Sequence, residues 1–519
     1  MKKFLFSLII SSLSIGCAAN DLEVNNLIDN EQQISLLSKK TINNKWQNQI
    51  IYFIFTDRFS NGNKSNDFNV NSKDPWAYHG GDLQGVINKL DYIKDLGATA
   101  IWITPPMDNR DTAFKANFGG GKYQDIWAYH GYWTKNFYAV DEHLGNIQKM
   151  KELVKKAHSK GIKVIIDIVM NHLDYDHEFA KDRKNPNSKY HTWFNHYGKI
   201  EDSDWNNPWK VEHGELAELP DLNQNNPEVK KYLLDATKWW ITQTGCDGLR
   251  LDTVKHVGHN FWKEFSKEIH NFAGEDFLLL GEVYDPNTEV MVSYINDGID
   301  SVFDFPLYYV IKNTLGQNGN MRDLARFFEK DRLYPNPNMV SPFIDNHDVP
   351  RFVTEAGNNS ISKLKLAMAL IMTIRGIPTI YYGTEIALQG GSDPDNRRDM
   401  IWDNRNQDLR NYLKKLISIR KSNPVLYTGK QLEMWQDENV FGFLRTNDDP
   451  NSEIIVVMNN SDNKQIRSIQ IRAESKMQDG TILNNLLDKD SITVNNRRIN
   501  VELKPKEVKI FKVNTIKNR

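Results

Sequence analysis

Residues 248–256 read Gly248-Leu249-Arg250-Leu251-Asp252-Thr253-Val254-Lys255-His256. The first five residues are typical of a buried β-strand, yet they carry two charges. Because Arg250 and Asp252 are two residues apart, a strand would point both side chains to the same face. A guanidinium beside an aspartate lowers the pKa of the carboxyl and keeps it ionised. An ionised carboxylate in a pocket is a candidate nucleophile, which makes Asp252 the first candidate catalytic residue.

Short apolar runs of the same kind recur along the chain and alternate with helical patterns. The strand candidates are residues 51–55, 100–104, 163–170, 248–252, 277–283, 301–305, 342–346 and 379–382. The helical patterns are residues 83–96, 147–159, 227–242, 261–272, 361–374 and 409–420. Runs that are apolar almost throughout indicate parallel strands buried on both faces. Eight strands with intervening helices predict the α/β class, as a (β/α)8 TIM barrel.

Polar and charged residues cluster where these strands end, as in segments 167–172, 281–282 and 345–348. In a TIM barrel those ends build the active site, so the pattern indicates an enzyme. Glu282 follows a very apolar run, and apolar surroundings raise a carboxyl pKa and suit a general acid. Asp348, beside His347, would be a third acid at the same end of the barrel. Glycosidases need two carboxyl groups in different environments, about 5–5.5 Å apart if they retain configuration.

The alternative for each acid is a solvated loop carboxylate or a structural ion pair, and the spacing alone does not name a substrate. Three acids at strand ends, with Arg250, His172 and His347 beside them, favour the catalytic interpretation.

The rest of the chain divides into recognisable parts. The barrel is predicted to span residues 46–172 and 219–424, with a small inserted domain at 173–218 after the third strand. That connection is too long for an ordinary loop and is rich in His, Asn, Asp and Trp. Residues 425–519 contain short strand candidates at 440–445, 453–458, 466–471, 499–503 and 508–513, which predict a C-terminal antiparallel β-sandwich.

The N-terminus has the pattern of an export signal. Residues 1–19 combine a positive start with a short apolar run, and residues 20–45 are a polar, flexible arm. Gly16-Cys17 resembles the end of a bacterial lipoprotein signal, in which Cys17 would be a lipid anchor; ordinary cleavage near Ala18-Ala19 is the other interpretation. We expect an exported protein: periplasmic, a cell-surface lipoprotein, or secreted.

Composition excludes several classes. The chain has 519 residues, a net charge of −2 and 25% charged residues, which argues against nucleic-acid binding and global disorder. No apolar run long enough for a transmembrane span occurs. Two cysteines so placed do not make a disulfide framework, and Cys246 is expected to be a plain buried thiol. We expect a monomer.

Several segments together resemble the α-amylase family of glycoside hydrolases over residues 50–515. Four blocks occur in the family's order: 167–172, 248–256, 280–283 and 343–348. Residues 219–223 resemble an additional block of the family. The resemblance implies Asp252 as nucleophile, Glu282 as general acid/base and Asp348 as transition-state stabiliser. It implies these substrate-binding residues: His130, Tyr132, His172, Arg250, Lys255, His256, His347, Asp393 and Arg397. Among them, Asp393 and Arg397 would bind a more distant donor sugar, and Lys255 would contact the sugar on the acceptor side. The alternative for the segment around Asp393 is a plain turn.

The resemblance also implies one or two Ca²⁺ sites. The first would use Asn171, Asp221 and the carbonyl of His256, hard oxygen ligands that suit Ca²⁺. The second resembles the N-terminal calcium loop of the glucanotransferase-like branch, with the ligands Asn61, Asn63, Asn66, Asp67, Gly80 and Asp82. Asn61 replaces the usual Asp of that branch, which weakens the site; a loop without metal is the alternative.

The expected function is endo-hydrolysis of α-1,4 bonds in starch-like α-glucans with retention. Lys255-His256 after the nucleophile block favours α-1,4 specificity. The first rival is a cyclomaltodextrinase, maltogenic amylase or glucan transglycosylase; the lack of later starch-binding domains argues against a full glucanotransferase. The remote rival is a non-catalytic glycan-binding surface protein, which the presence of all three acids argues against.

Overall fold

The computed structural model describes residues 46–117, 122–447, 449 and 451–514. The predicted signal peptide, the arm at 20–45 and Cys17 lie outside the described residues.

The described chain contains strands distributed between one parallel and four antiparallel sheets. In chain order they are β1 (Ile51–Ile54), β2 (Ala100–Ile103), β3 (Met107–Asn109), β4 (Phe114–Asn117), β5 (Tyr123–Ile126), β6 (Thr134–Val140), β7 (Lys163–Val169), β8 (Gly248–Asp252), β9 (Leu278–Gly281), β10 (Ser301–Val302), β11 (Thr379–Tyr381), β12 (Lys430–Gln436), β13 (Val440–Thr446), β14 (Ile454–Asn459), β15 (Gln465–Gln470), β16 (Ile482–Asn485), β17 (Ser491–Thr493), β18 (Arg498–Leu503) and β19 (Val508–Val513).

The α-helices, also in chain order, are α1 (Thr56–Phe59), α2 (Leu83–Asn88), α3 (Leu90–Leu96), α4 (Ile147–Ser159), α5 (Glu178–Lys181), α6 (Pro208–His213), α7 (Pro227–Thr244), α8 (His259–Ala273), α9 (Thr288–Ile295), α10 (Phe305–Ile311), α11 (Met321–Phe328), α12 (Phe352–Glu355), α13 (Ser360–Thr373), α14 (Gln407–Ser422) and α15 (Val425–Thr428). Helix α7 shows how local sequence sets these bounds. The Asn226 side chain accepts from Glu228 N at its start, Pro227 follows, and Gly245 ends it in the left-handed region at φ 66°.

The parallel sheet confirms the predicted barrel class. Its seven strands run in the order β10-β9-β8-β7-β2-β1-β11. The predicted seventh barrel strand at 342–346 was wrong as a strand, because only a bridge between Phe303 and Ser341 forms there. This segment nevertheless bonds to both neighbours: Ser341 N donates to Val302 O at 2.9 Å, and Thr379 N donates to Pro342 O at 2.9 Å. Pro342 itself has no N–H to donate, which limits the ladder.

Two other local predictions needed correction. The helical pattern at 83–96 forms two helices, α2 and α3, which meet at Lys89. The segment between β2 and α4 contains β3 to β6, which pair as two antiparallel ribbons that the sequence did not predict.

The C-terminal strand candidates all form strands, and β12, β16 and β17 add to them.

The C-terminal sheets pack as a sandwich that also covers the barrel. Strands β12-β13-β14-β19-β16-β17 form one sheet and β15-β18 the other. Along β14, Val456 belongs to the core shared with the barrel, whereas Val457 belongs to the core between the two sheets. This alternation explains why every residue of β14 is buried.

The segment at 173–218 lies over the C-terminal ends of the barrel strands. His172 and Asp221 form a bridge at its base, and α5 and α6 are its α-helices. Among the described residues, no helix combines the length and apolarity needed to cross a membrane.

Candidate active site

Arg250 lies at the centre of a cluster of buried acids. Its Nη1 is 2.5 Å from Asp252 Oδ1 and 3.0 Å from Asp167 Oδ1, and its Nη2 is 3.0 Å from Glu282 Oε1. These residues come from the adjacent strands β7 and β8 and from the residue after β9. The register pairs Asp167 with Arg250, so neighbouring strands bring these side chains to one level. One guanidinium therefore joins both predicted catalytic carboxyl groups.

Thr253 ties the two acids together through its backbone. It has φ 49° and ψ 39°, a left-handed conformation that is a true outlier for a β-branched residue. In this conformation its N–H donates to Glu282 Oε2 at 2.9 Å. Backbone strain of this kind concentrates at functional sites, where the surroundings fix it.

Burial dominates the electrostatics of the acids. Burial raises the pKa of Asp252, and the opposing effect of Arg250 is smaller. The sequence-based expectation that Arg250 would lower the pKa of Asp252 was therefore wrong in net direction. Burial and the charge of Asp252 raise the pKa of Glu282. Burial and the charge of Glu282 likewise raise the pKa of Asp348, whose side chain is 28% exposed. Ionisation of one of these acids therefore raises the pKa of its neighbour.

A hydrogen-bonded chain runs from Asp167 through Tyr132 to His347, which lies beside Asp348. Tyr132 OH donates to Asp167 Oδ2 at 2.9 Å and lies 2.6 Å from His347 Nε2. Burial keeps the pKa of His347 well below its ordinary value, so the imidazole is neutral. Because Tyr132 has already donated its proton, His347 Nε2–H must be the donor to Tyr132 Oη. Nδ1 is then an acceptor that faces Asp348 Oδ2 at 3.4 Å, where a hydroxyl group could donate to either atom.

The segment before Tyr132 is shaped by a glycine. Gly131 has φ 91°, and a Cβ there would lie 2.5 Å from Pro105 O, so a side chain is excluded. His130 Nδ1 accepts from Tyr132 N at 3.0 Å, and its ring stacks at 20° to that of Tyr132. Burial lowers the pKa of His130 well below its ordinary value. His130 thus supports Tyr132 as a neutral ring.

The predicted donor-side residues lie beside Asp348. Arg397 Nη2 is 3.5 Å from Asp348 Oδ1, and its Nη1 is 3.0 Å from Asp393 Oδ1. Arg397 Nε also donates to His347 O at 3.0 Å. The Asp393 side chain is partly exposed, so its carboxylate can still meet a ligand.

Lys255, which was predicted to contact the acceptor-side sugar, lies beside the residues that follow Glu282, and His256 lies beside the inserted segment. Lys255 Nζ donates to Tyr284 O at 2.8 Å and lies 3.3 Å from Asp285 Oδ2. The His256 ring donates from Nδ1 to Val211 O at 3.0 Å. The Trp205 ring is 5.9 Å from the His256 ring and has Lys255 Nζ 5.9 Å from its centroid. Trp205 was missed by sequence analysis, because an aromatic residue in an aperiodic segment gives no positional signal.

Three oxygens converge at the base of the inserted segment. Placed with its oxygen inward, the Asn171 amide has Oδ1 3.1 Å from Asp221 Oδ1 and 2.8 Å from the His256 carbonyl. If the Asn171 amide were reversed, its oxygen would face His172 Nδ1, which would have to carry a proton to donate to it. His172 Nε2 already carries the proton that it donates to Tyr132 O at 3.1 Å. Burial lowers the pKa of His172 to about 4, so one proton is available, not two. The inward oxygen leaves three acceptors facing one another, which a cation would satisfy, and a set of three hard oxygens fits Ca²⁺.

The loop of residues 61–82 brings its predicted ligands together as well. Asn61 Nδ2 donates to Asp67 Oδ1 at 2.8 Å, and a Cβ on Gly80 would touch both side chains. The Asn66 side-chain oxygen is buried without a hydrogen-bond partner. Asp82 accepts from Asn63 N at 2.8 Å and caps α2. An orphaned buried oxygen among carboxylates and carbonyls also fits a hard cation.

Two more residues without a sequence-based role are built into this site. Asp167 supports both Arg250 and Tyr132, as described above. Arg58, buried in α1, donates to Ala77 O at 2.8 Å and to Arg397 O at 3.4 Å, and its Nε bonds Asp57. Asp57 in turn accepts from Gly80 N at 3.1 Å. Arg58 therefore connects the loop of residues 61–82 to the donor side.

Comparison with known proteins identifies the family of this chain. The model of the alpha-amylase catalytic domain matches residues 53–469. The chain belongs to the alpha-amylase family. It is accordingly an alpha-amylase-family enzyme, a glycoside hydrolase or transglycosylase, and the family resemblance expected from the sequence is confirmed.

Similar proteins include several amylolytic enzymes. The beta/alpha-amylase of Paenibacillus polymyxa is 42% identical over 489 residues, which cover 92% of this chain and 39% of that protein. The cyclomaltodextrinase of Thermoanaerobacter pseudethanolicus is 35% identical, over 80% of this chain and 71% of that one. The crystal structure of an Anoxybacillus alpha-amylase superimposes with a TM-score of 0.82 at 38% identity, covering 90% of this chain and 98% of that chain. The chain therefore spans well under half of the Paenibacillus protein.

Proposed function

We propose that this alpha-amylase-family enzyme hydrolyses internal α-1,4 bonds of starch-like glucans and maltooligosaccharides with retention of configuration. The observation that carries the proposal is the Arg250 guanidinium, which contacts Asp252 at 2.5 Å and Glu282 at 3.0 Å. Two carboxyl groups that contact the two terminal nitrogens of one guanidinium lie near each other, which supports the short carboxyl separation of a retaining mechanism over the longer separation of an inverting one.

The roles follow from the surroundings of each acid. Asp252 has the shorter contact to Arg250 and carries the negative charge, whereas Glu282 carries the proton. Asp252 attacks the anomeric carbon as the Glu282 proton passes to the glycosidic oxygen, and the bond from that carbon to the oxygen breaks. Glu282, now ionised, removes a proton from a water that displaces Asp252 and regenerates both acids. Asp348 stabilises the transition state and, with His347, holds sugar hydroxyls.

The predicted substrate-binding residues would contact different sugars of a glucan bound along the cleft. Tyr132, His130, His172 and His347 surround the reacting sugar, and Asp393 and Arg397 bind further donor sugars. Lys255, His256 and Trp205 line the acceptor side, which supports an α-1,4-linked glucan that continues past the cleaved bond.

We propose Ca²⁺ at both sites fitted above. At the first, Asn171, Asp221 and the His256 carbonyl would hold the ion, which would fix the inserted segment to the barrel next to His172. At the second, Asn61, Asn63, Asn66, Asp67, Gly80 and Asp82 would hold it. At either site the ion would supply an electrostatic cross-link between segments of the chain.

We further propose export through residues 1–19, with lipid on Cys17. Labelling with a radioactive fatty acid tests this; a Cys17→Ser variant that still takes up label would overturn the lipid anchor.

The second candidate is cyclodextrin opening or transglycosylation, which the similarity to a cyclomaltodextrinase supports. A product time course on amylose, β-cyclodextrin and pullulan separates the candidates. Rapid loss of iodine staining with mixed short products supports the endo-hydrolase. Preferred opening of cyclodextrin, or products longer than the substrate, would support the second candidate instead.

A further inference from the structure

The inserted segment exposes an unusual group of aromatic side chains. Trp205, Trp209 and Tyr197 are 45%, 50% and 55% exposed. Trp205 and Trp209 are the only exposed tryptophans among the described residues. Exposed tryptophan is costly in water, and a cluster of such residues marks a binding surface.

Trp209 packs against two neighbouring rings in this exposed position. Its ring stacks on His213 with centroids 5.0 Å apart at 12°, and Tyr197 meets it at 4.7 Å and 66°. His213 Nδ1 lies 2.9 Å from Trp209 O, and Lys210 Nζ lies 3.1 Å from Gly198 O, next to Tyr197. Little side-chain freedom remains to be lost on binding, so the angled pair is prepared for a ligand.

The pair lies at the helix that borders the predicted acceptor side, and Trp209 is on a different side of that helix from Val211. Trp209 and His213 belong to α6, and Val211 of the same helix accepts the hydrogen bond from His256. Trp205, which borders His256 and Lys255, precedes Trp209 by four residues. A chain that leaves the cleft over Trp205 would meet Trp209 and Tyr197 next.

We propose that Tyr197 and Trp209 form an accessory site for an α-glucan segment that extends beyond the acceptor side. Two aromatic faces set at an angle suit the apolar faces of successive sugars in a curved glucan chain. The inference rests on the proposed function for its choice of ligand. Its consequence is a dependence on chain length, because only long substrates reach both the cleft and α6.

The test compares short and long substrates in Trp209→Ala, in Tyr197→Ala and in the matched control Tyr123→Ala, which removes a tyrosine that is 61% exposed on β5. We expect kcat/KM on amylose to fall about tenfold in Trp209→Ala, with kcat/KM on maltotriose unchanged. Tyr123→Ala should change neither value. An equal loss on both substrates, or no loss on amylose, overturns the accessory site.

A second experiment separates this inference from the proposed function. It measures how far amylose in a native gel slows the migration of the Glu282→Gln variant, with and without Trp209→Ala. Retardation that disappears with Trp209→Ala supports the site even if the wild type were to hydrolyse nothing. Hydrolysis by the wild type, with retardation indifferent to Trp209, overturns the site and leaves the proposed function standing.

Discussion

The backbone N–H of Thr253 donates a 2.9 Å hydrogen bond to Glu282 Oε2 from a left-handed conformation. The residue that follows the proposed nucleophile thereby orients the proposed acid. Because the bond comes from backbone, it survives any side-chain substitution at Glu282 that keeps an acceptor oxygen. A Gln replacement can keep this bond and removes the acidic proton, while its amide nitrogen takes the place of the oxygen that faces Arg250 Nη2 at 3.0 Å.

Glu282→Gln should abolish proton transfer while it preserves the shape of the cleft. We expect kcat on amylose to fall by about 10²- to 10⁴-fold, the usual contribution of a general acid. Binding of maltoheptaose, measured calorimetrically, should survive. The matched control is Glu385→Gln, a buried glutamate that accepts from Tyr52 and Tyr92 away from the cleft and whose replacement can still accept. Unchanged hydrolysis by Glu282→Gln would contradict the role of Glu282.

Asp167→Asn should move the pH dependence. Asp167 shares Arg250 with both catalytic acids, and burial raises the pKa of Asp167 to about 8, so its negative charge forms in the alkaline range where Glu282 loses its proton. Removing that charge strengthens the attraction between Arg250 and the Glu282 carboxylate, which lowers the pKa of Glu282. Since catalysis needs Glu282 protonated, the alkaline limb of kcat/KM should shift to lower pH by about one unit.

The control for Asp167→Asn is Asp304→Asn, which breaks a comparable buried pair with Arg375 at 2.6 Å outside the cleft. That variant should lose stability and keep the pH profile. An alkaline limb that stays in place, or moves to higher pH, in Asp167→Asn would show that Asp167 does not act through Arg250.

Calcium should raise the thermal stability in proportion to its occupancy. An ion at 100 times its Kd stabilises a folded protein by about 2.7 kcal/mol. We expect Tm to rise with added Ca²⁺ and to fall with chelator, and Asp221→Asn to reduce this dependence. Asp174→Asn, a buried aspartate of the same segment that pairs with Arg110 at 3.0 Å, should lower Tm without changing its response to Ca²⁺. A Tm indifferent to Ca²⁺ in the wild type would refute the proposed sites.

The barrel was predictable because parallel strands leave a strong signal. Runs such as 163–169 are buried on both faces and end in polar residues, so both the element and its functional end are visible in the sequence. Strands β3 to β6 are short, half-exposed ribbons paired with one another, which local pattern does not reveal. The direction of the Asp252 pKa was also missed, because burial depends on tertiary packing, whereas the Arg250 contact follows from spacing alone.

Arg58→Lys should weaken donor binding more than catalysis. The Arg58 guanidinium holds Ala77 O, Arg397 O and Asp57, and one ammonium cannot reproduce that planar set. Arg397 would then be less well placed beside Asp348 and Asp393. We expect KM for maltohexaose to rise about fivefold with kcat nearly unchanged.

Asp57 also bonds Gly80 N, so the same variant should weaken Ca²⁺ binding at the loop of residues 61–82, as measured by calorimetry. Arg375→Lys is the matched control: it alters another buried arginine, which pairs with Asp304 and Asp331 rather than the donor side. That variant should lower Tm but leave KM and Ca²⁺ affinity in place. If Arg58→Lys and Arg375→Lys differ only in Tm, Arg58 has a purely structural role.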